Sequence, residues 1–266
     1  MTPDSPADHT AHDLDVDVRD SVALVEMRRP PHNFLDHGVV VALADAFEEI
    51  ERDARVRAIV LCAQGDSFCA GANLNDAGGV PKPTSSRTVN PIYQEALRLF
   101  AVGKPVVAAI QGGAIGGGLG LALVADFRVT CAEARLCANF ARLGLSPGFG
   151  LTATLPRLVG AQKAAMLFYT GRRIGGEEAV ALGLADILVP RADLRDRALA
   201  LAAEIAVSSP TVVRGVRAQL RHDLLPLVRE AVARESAAQH ADFRSADFQE
   251  GVAAMAARRP PVFSGA

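Results

Sequence analysis

Two segments rich in glycine and alanine are placed where backbone amides, not side chains, could do chemistry. The first is Gly112-Gly113-Ala114-Ile115-Gly116-Gly117-Gly118-Leu119-Gly120, between the apolar run Pro105–Ile110 and a helix-forming stretch that ends at Leu123. Glycine lets a chain turn tightly and approach a ligand closely, and a helix start leaves N–H groups without partners. Such groups can receive an anion or a developing oxyanion. No register fits GxGxxG: Gly116 and Gly118 are followed by Leu121, Gly118 and Gly120 by Leu123, and no GK[ST] follows. Taken alone, the segment reads equally well as a packing turn. The second segment, Phe68-Cys69-Ala70-Gly71-Ala72-Asn73-Leu74, follows another apolar run, Ala58–Leu61. Two small-residue loops at the C-terminal ends of successive parallel strands lie where α/β ligand sites form. One N–H from each loop would hold a carbonyl oxygen between two donors. A donor of this kind contributes about 3 kcal/mol to a step that develops charge.

The elements that must position these loops follow from the hydrophobic pattern. Val22–Met27, Arg57–Ala63, Pro105–Ile110 and Phe127–Cys131 read as strands, and the continuous apolar stretches among them predict a sheet covered on both faces. Asp36–Asp53 reads as an amphipathic helix with Asp36 as its N-cap, and Pro91–Val102 as a shorter helix. Strand–helix alternation predicts an α/β core. From Gln162 onward the pattern is mostly helical, with long segments at Leu194–Val207, Thr211–His222, Pro226–Ala241 and Ser245–Ala257, then an extended tail, Arg258–Ala266. Residues 1–13 read as a disordered leader, 14–200 as the α/β core and 201–266 as a helical C-terminal region. The Gly/Pro/Ser/Thr-rich stretch Ala77–Asn90 is the expected mobile segment, one that orders on ligand binding.

Composition narrows the partners. The chain has 266 residues, 50% hydrophobic and 22% charged, with a net charge of -2, so nothing recommends a nucleic acid or an acidic membrane. Pro105–Val124 is the most apolar run, but seven Gly and Gln residues interrupt it, which suits a strand–turn–helix better than a membrane span. Cys62, Cys69, Cys131 and Cys137 lack CxxC spacing and read as reduced core thiols of a cytoplasmic protein. His9 and His12 sit in the leader with no further ligand cluster, so no metal site is expected.

The motifs, in order, resemble those of the crotonase (enoyl-CoA hydratase/isomerase) family. Phe68–Leu74 resembles its FCAGAD loop, and GGAIGGGLGLALVADFRV its GxxxGGGxELALxxD segment. Pro30–Leu35 resembles P-x-x-N-A-L, and Leu143–Gly150 with Leu155–Gly160 resembles LGxxPGxGGTQRLxRxVG. Thr170–Ile174 resembles TGRxI, and Ala179 with Gly183-Leu184-Ala185 resembles AxxxGLV. The resemblance implies a repeated ββα spiral core with a helical C-terminal trimerisation region, and a homotrimer or dimer of trimers. It implies an acyl-coenzyme A substrate and no further cofactor, with Ala72 and Gly117 N–H forming an oxyanion hole for a thioester enolate. Asn33, Phe34, Leu35, Ala70, Asn73, Leu74 and Gly116 would hold the substrate.

The same resemblance exposes departures. Hydratases of this family carry two glutamates that position and deprotonate water. Their places hold Gly120 and Phe140 here, and neither can titrate. Asp76 is a candidate substitute or a helix cap; Ser146 and Thr152 read as hydroxyls at the pocket wall or in turns; Arg142 could orient a substrate carboxylate or stand in solvent. His32 is expected to make a surface contact. Gly120, Phe140, Ser146 and Phe149 complete the expected acyl site, with the two rings making it apolar. After Phe263 stand Ser264 and Gly265, not the family's basic residue for a coenzyme phosphate, and Arg258 and Arg259 are nearby alternatives. Three readings stand: a hydratase or isomerase whose acid–base groups lie elsewhere, a decarboxylase that reaches the enolate without a base, and a non-catalytic acyl-CoA-binding protein.

Overall fold

A computed structural model describes residues 13–73 and 89–265. Residues 1–12 of the expected leader, Leu74, Asp76 and the stretch 77–88 therefore lie outside the described residues. The chain folds around a six-stranded sheet of order β1-β2-β3-β4-β6-β9. Its strands are β1 (Leu14–Arg19), β2 (Val22–Met27), β3 (Ala58–Ala63), β4 (Val106–Ile110), β6 (Phe127–Thr130) and β9 (Ile187–Leu188). The β1–β2 pair is antiparallel and every other pair in this sheet is parallel. A smaller sheet stacks β5 (Gly113–Ile115), β7 (Arg135–Cys137) and β8 (Arg173–Gly175).

The strongly apolar β3 shows why both faces are covered. Alternate residues point to opposite sides: Ile59 and Leu61 enter the main core, while Ala58, Val60 and Cys62 meet Val22, Val107, Ala109 and Val129 in a second cluster. Helix α7 (Leu194–Ala206) closes that second face with Leu194, Ala198, Ala202 and Ala206, one stripe at helical spacing. On the other face lies α1 (His37–Arg52), burying Leu43, Phe47 and Ile50. Asp36 caps it by accepting a 2.9 Å hydrogen bond from Val39 N. Its C-terminus is satisfied by Lys104, whose buried Nζ donates to the carbonyls of Ile50 and Asp53.

The remaining helices are α2 (Pro91–Ala101), α3 (Gly117–Ala122), α4 (Leu151–Val159), α5 (Ala161–Thr170), α6 (Gly176–Ala181), α8 (Pro210–Leu220), α9 (Leu224–Asp242) and α10 (Ala246–Ala256). Of these, α2, α3, α9 and α10 reach the region where the two small-residue loops meet. Helix α9 packs on both α2 and α4, and α10 packs on the 3-10 turn Asn139–Leu143.

Five strands were not expected. β1 is an edge strand in which Val16 and Val18 are about two-fifths exposed, so its apolar alternation carries little burial. β5, β7, β8 and β9 have two or three residues each, too few to display a period. The stretch after Gln162 is accordingly helical with β8 and β9 inserted.

Candidate active site

The glycine segment earns its composition by close approach. Strand β5 bridges to the other loop: Cys69 N donates to Gly113 O at 2.8 Å and Ile115 N to Cys69 O at 3.0 Å. A Cβ on Gly118 would lie 2.1 Å from Cys69 O, so only glycine lets α3 start against this loop. Gly116 turns the chain into the helix at a φ of 54°, in the left-handed region glycine favours. Leu35 N donates to Gly71 O at 2.9 Å, which sets the Leu35–Ala72 bridge beside the helix start. A Cβ on Gly71 would stand 3.6 Å from Gly117 N. Ala72 and Gly117 thus border the same space. Among the described residues neither amide donates to a protein acceptor.

That space opens into a cavity of about 300 Å³. Ala70, Gly71, Ala72, Asn73, Ile115, Gly116 and Gly117 form its small-residue side, with His32, Phe34 and Leu35 beside them. The His32 and Phe34 rings lie 4.9 Å apart. Phe140, Leu143, Leu145, Phe149, Phe243 and Met255 form the apolar wall. Asn90, Tyr93, Asn139, Arg173 and Gln239 supply its other polar groups, and no aspartate or glutamate among the described residues lines it.

Phe149 is fully buried at a φ of 64°, unusual for a non-glycine residue. Its ring and Cβ fill the space above α3: a Cβ on Gly120 would come within 2.7 Å of the Phe149 Cβ. Tyr93 packs edge-on to Phe149 with ring centroids 6.2 Å apart. Its hydroxyl donates to Gln239 Oε1 at 3.0 Å, and Gln239 Nε2 donates to the carbonyls of Ser146 and Pro147. Burial raises the Tyr93 pKa, so the phenol stays protonated. Behind this wall Glu235 is buried and fully used: it accepts from Gly150 N at 2.7 Å, Thr152 N at 2.8 Å and Thr152 Oγ1 at 2.6 Å.

Of the residues expected at the site, Phe34, Leu35, Ala70, Ala72, Asn73, Gly116, Gly117, Phe140 and Phe149 border the cavity, as does His32. Three expected substrate contacts do not. Asn33 is buried; its Oδ1 accepts from Arg29 N, and its Nδ2 donates to Gln64 O and Ser67 O at 2.9 and 2.7 Å. It therefore pins the Pro30–Leu35 segment to the loop after β3 and offers nothing to a ligand. Gly120 is shielded by Phe149. Ser146 is held through its backbone, its N–H donating to Asp242 Oδ2 and its carbonyl accepting from Gln239. Arg142 also lies off the cavity, its Nε donating to Thr170 O, and the Thr152 hydroxyl is committed to Glu235.

Sequence reasoning passed over Tyr93, Asn139, Arg173, Gln239, Phe243 and Met255. Gln239 lies in α9, Phe243 just past its end and Met255 in α10, more than a hundred residues from the glycine segment, and none of them stands in a motif. The cysteines are inert here: burial pushes the Cys69 thiol up to about 12, though the Gly71 and Leu35 amides offset part of the effect.

Comparison with known proteins places the chain among similar folds and sequences. A family model described as enoyl-CoA hydratase/isomerase matches residues 17–266. YngF of Bacillus subtilis, which carries an enoyl-CoA hydratase/isomerase name, is 34% identical over 246 residues, 92% of this chain and 95% of YngF. The 1,2-epoxyphenylacetyl-CoA isomerase of Escherichia coli is 32% identical over 254 residues, covering 93% and 97% of the two chains. The crystal structure of an enoyl-CoA hydratase/isomerase from Pseudoalteromonas atlantica superposes with a TM-score of 0.85 at 30% identity, covering 95% of this chain and 100% of that one.

Proposed function

The chain belongs to the enoyl-CoA hydratase/isomerase family, and from that premise we propose that it converts acyl-coenzyme A thioesters through an enolate held by the Ala72 and Gly117 amides. The observation that carries this reading is the pair itself: two N–H groups without acceptors among the described residues, from adjoining loops, at one end of a largely apolar cavity. A thioester carbonyl seated between them gains charge as the enolate forms, and preorganised donors in a site that excludes water favour that charge over the ground state. The acyl group then lies against Phe140, Phe149 and Leu143. Coenzyme A enters as part of the substrate, with no other cofactor, in a cytoplasmic trimer or dimer of trimers.

The test uses Gly117. It is the first residue of α3, where proline is tolerated, so Gly117→Pro deletes the donor without breaking the helix. Gly117→Ala is the control: its Cβ would make ordinary contacts at 3.5 Å to Leu35 and 3.9 Å to Phe149, and it keeps the N–H. Turnover of crotonyl-CoA and related thioesters, followed by absorbance, is expected to fall about 10²–10³-fold in the proline variant and to survive in the alanine variant. Full turnover in a folded Gly117→Pro variant overturns the reading.

One observation favours a second reading of the reaction. With no carboxylate among the described cavity-lining residues, water activation and proton shuttling lack their usual agents. Loss of CO₂ from a β-carboxyl thioester delivers the enolate directly, leaving the two amides as sufficient machinery. Release of CO₂ from malonyl-CoA or methylmalonyl-CoA, with no loss of crotonyl-CoA, selects it. Tight thioester binding with no turnover selects the non-catalytic alternative.

A further inference from the structure

We infer that the acyl group accepted at this site ends in a carboxylate, which Arg173 and Asn139 receive at the cavity wall; this rests on the acyl-coenzyme A reading above. The placement comes from the small sheet. Cys137 and Arg173 are register partners across β7 and β8, and Asn139 follows Cys137 by two residues. A Cβ on Gly171, just ahead of β8, would lie 3.4 Å from the Asn139 Cα, so both residues emerge at one end of the sheet. Both line the cavity. Asn139 Oδ1 stands 3.4 Å from where a Cβ on Gly116 would be, within one residue of the proposed oxyanion donor Gly117.

The electrostatics single out Arg173 among its neighbours. Arg172 is paired with Glu178, and Arg142 is turned to the Thr170 carbonyl. Among the described residues Arg173 and the Asn139 side chain make no hydrogen bond or ion pair. With no described carboxylate in the lining, the guanidinium faces the cavity without an anionic partner among the described residues. A guanidinium presents donors in the planar geometry that a carboxylate accepts two at a time. Because Arg173 is exposed at the rim, it stays hydrated until a ligand arrives, and the site needs no buried charge while empty. A cavity of about 300 Å³ suits a short chain, so the substrate class is the coenzyme A thioesters of short dicarboxylic acids.

Titration calorimetry with glutaryl-CoA and pentanoyl-CoA tests this, since the two share the coenzyme and the chain length and differ in the terminal charge. The full chain is expected to bind glutaryl-CoA about tenfold more tightly, as a charge-assisted pair predicts. Arg173→Gln is expected to abolish that preference and leave pentanoyl-CoA unchanged. Equal affinities in the unaltered chain overturn the inference. So does an Arg173→Gln variant that weakens both thioesters alike, because the guanidinium would then serve the coenzyme or the fold. If neither thioester binds, the acyl-coenzyme A reading itself fails and takes this inference with it.

Discussion

Gly120 and Phe149 divide one volume between them. The helix residue gives up its side chain, and the loop residue, at a φ of 64°, fills the vacated space with a ring. Adding a methyl at Gly120 forces Phe149 to move, and overpacking of this kind costs about 1–3 kcal/mol. Gly120→Ala is therefore expected to lower stability by that amount in chemical denaturation. In a Phe149→Gly background the obstacle is gone and glycine suits the backbone conformation. The same alanine should then be neutral or stabilising by up to about 1 kcal/mol, as helix propensity dictates. A coupling near zero between the two changes would show that the volume is not shared. Half of this pair was legible in the sequence: Gly120 stands out against the GxxxGGGxELALxxD pattern that its segment resembles. Its partner was not, because nothing in Gly148-Phe149-Gly150 announces that the middle residue adopts a positive φ. Asn33 misled for a similar reason. The resemblance implied ligand contact, but the three side-chain hydrogen bonds of Asn33 go to backbone groups near its own segment and in the loop after β3.

At the scale of elements, the cavity depends on helices distant in sequence. Helix α9 reaches the pocket wall through two side chains one turn apart: Glu235 holds the start of α4, and Gln239 holds the Ser146–Pro147 carbonyls and the Tyr93 hydroxyl. Glu235 satisfies three donors in a buried setting, and removing it strands them together with the helix start. Glu235→Ala is expected to cost about 3 kcal/mol or more, given about 1–3 kcal/mol for each buried donor left unsatisfied. Glu235→Gln should cost less, since its one carbonyl oxygen still accepts. Denaturation midpoints check the order, and a Glu235→Ala variant as stable as the parent would mean that α9 contributes only apolar packing here. The elements themselves were mostly readable. β2 spans the expected residues, Asp36 caps α1 as expected, and the glycine segment sits at a strand-to-helix turn. What pattern reading cannot supply is which helix faces returns to the pocket. Tyr93 and Gln239 are 146 residues apart, and neither lies in a motif.

At the scale of the whole molecule, one apolar face is left uncovered by the described residues. Helix α8 has no buried residue, and Val212, Val216 and Leu220, spaced four apart on one stripe, are 62%, 49% and 69% exposed. Beneath it runs an apolar groove of about 810 Å³, bordered by Leu123, Leu158, Ile205, Val213 and Leu224. Contiguous apolar surface of this kind marks an interaction site more often than a free face. The resemblance that implies a homotrimer or dimer of trimers gives it an occupant, another copy of this chain. Sedimentation equilibrium is expected to return three or six times the chain mass. Val216→Asp with Leu220→Asp should shift it toward one, because two charges would have to be desolvated at the contact. Unaltered protein that sediments as a monomer would remove the assembly. The monomerised variant also separates assembly from chemistry. Tyr93, Gln239, Phe243 and Met255 all reach the cavity from the same chain, so that variant should keep its affinity for acyl-CoA; loss of binding on monomerisation would mean that a neighbouring copy completes the site.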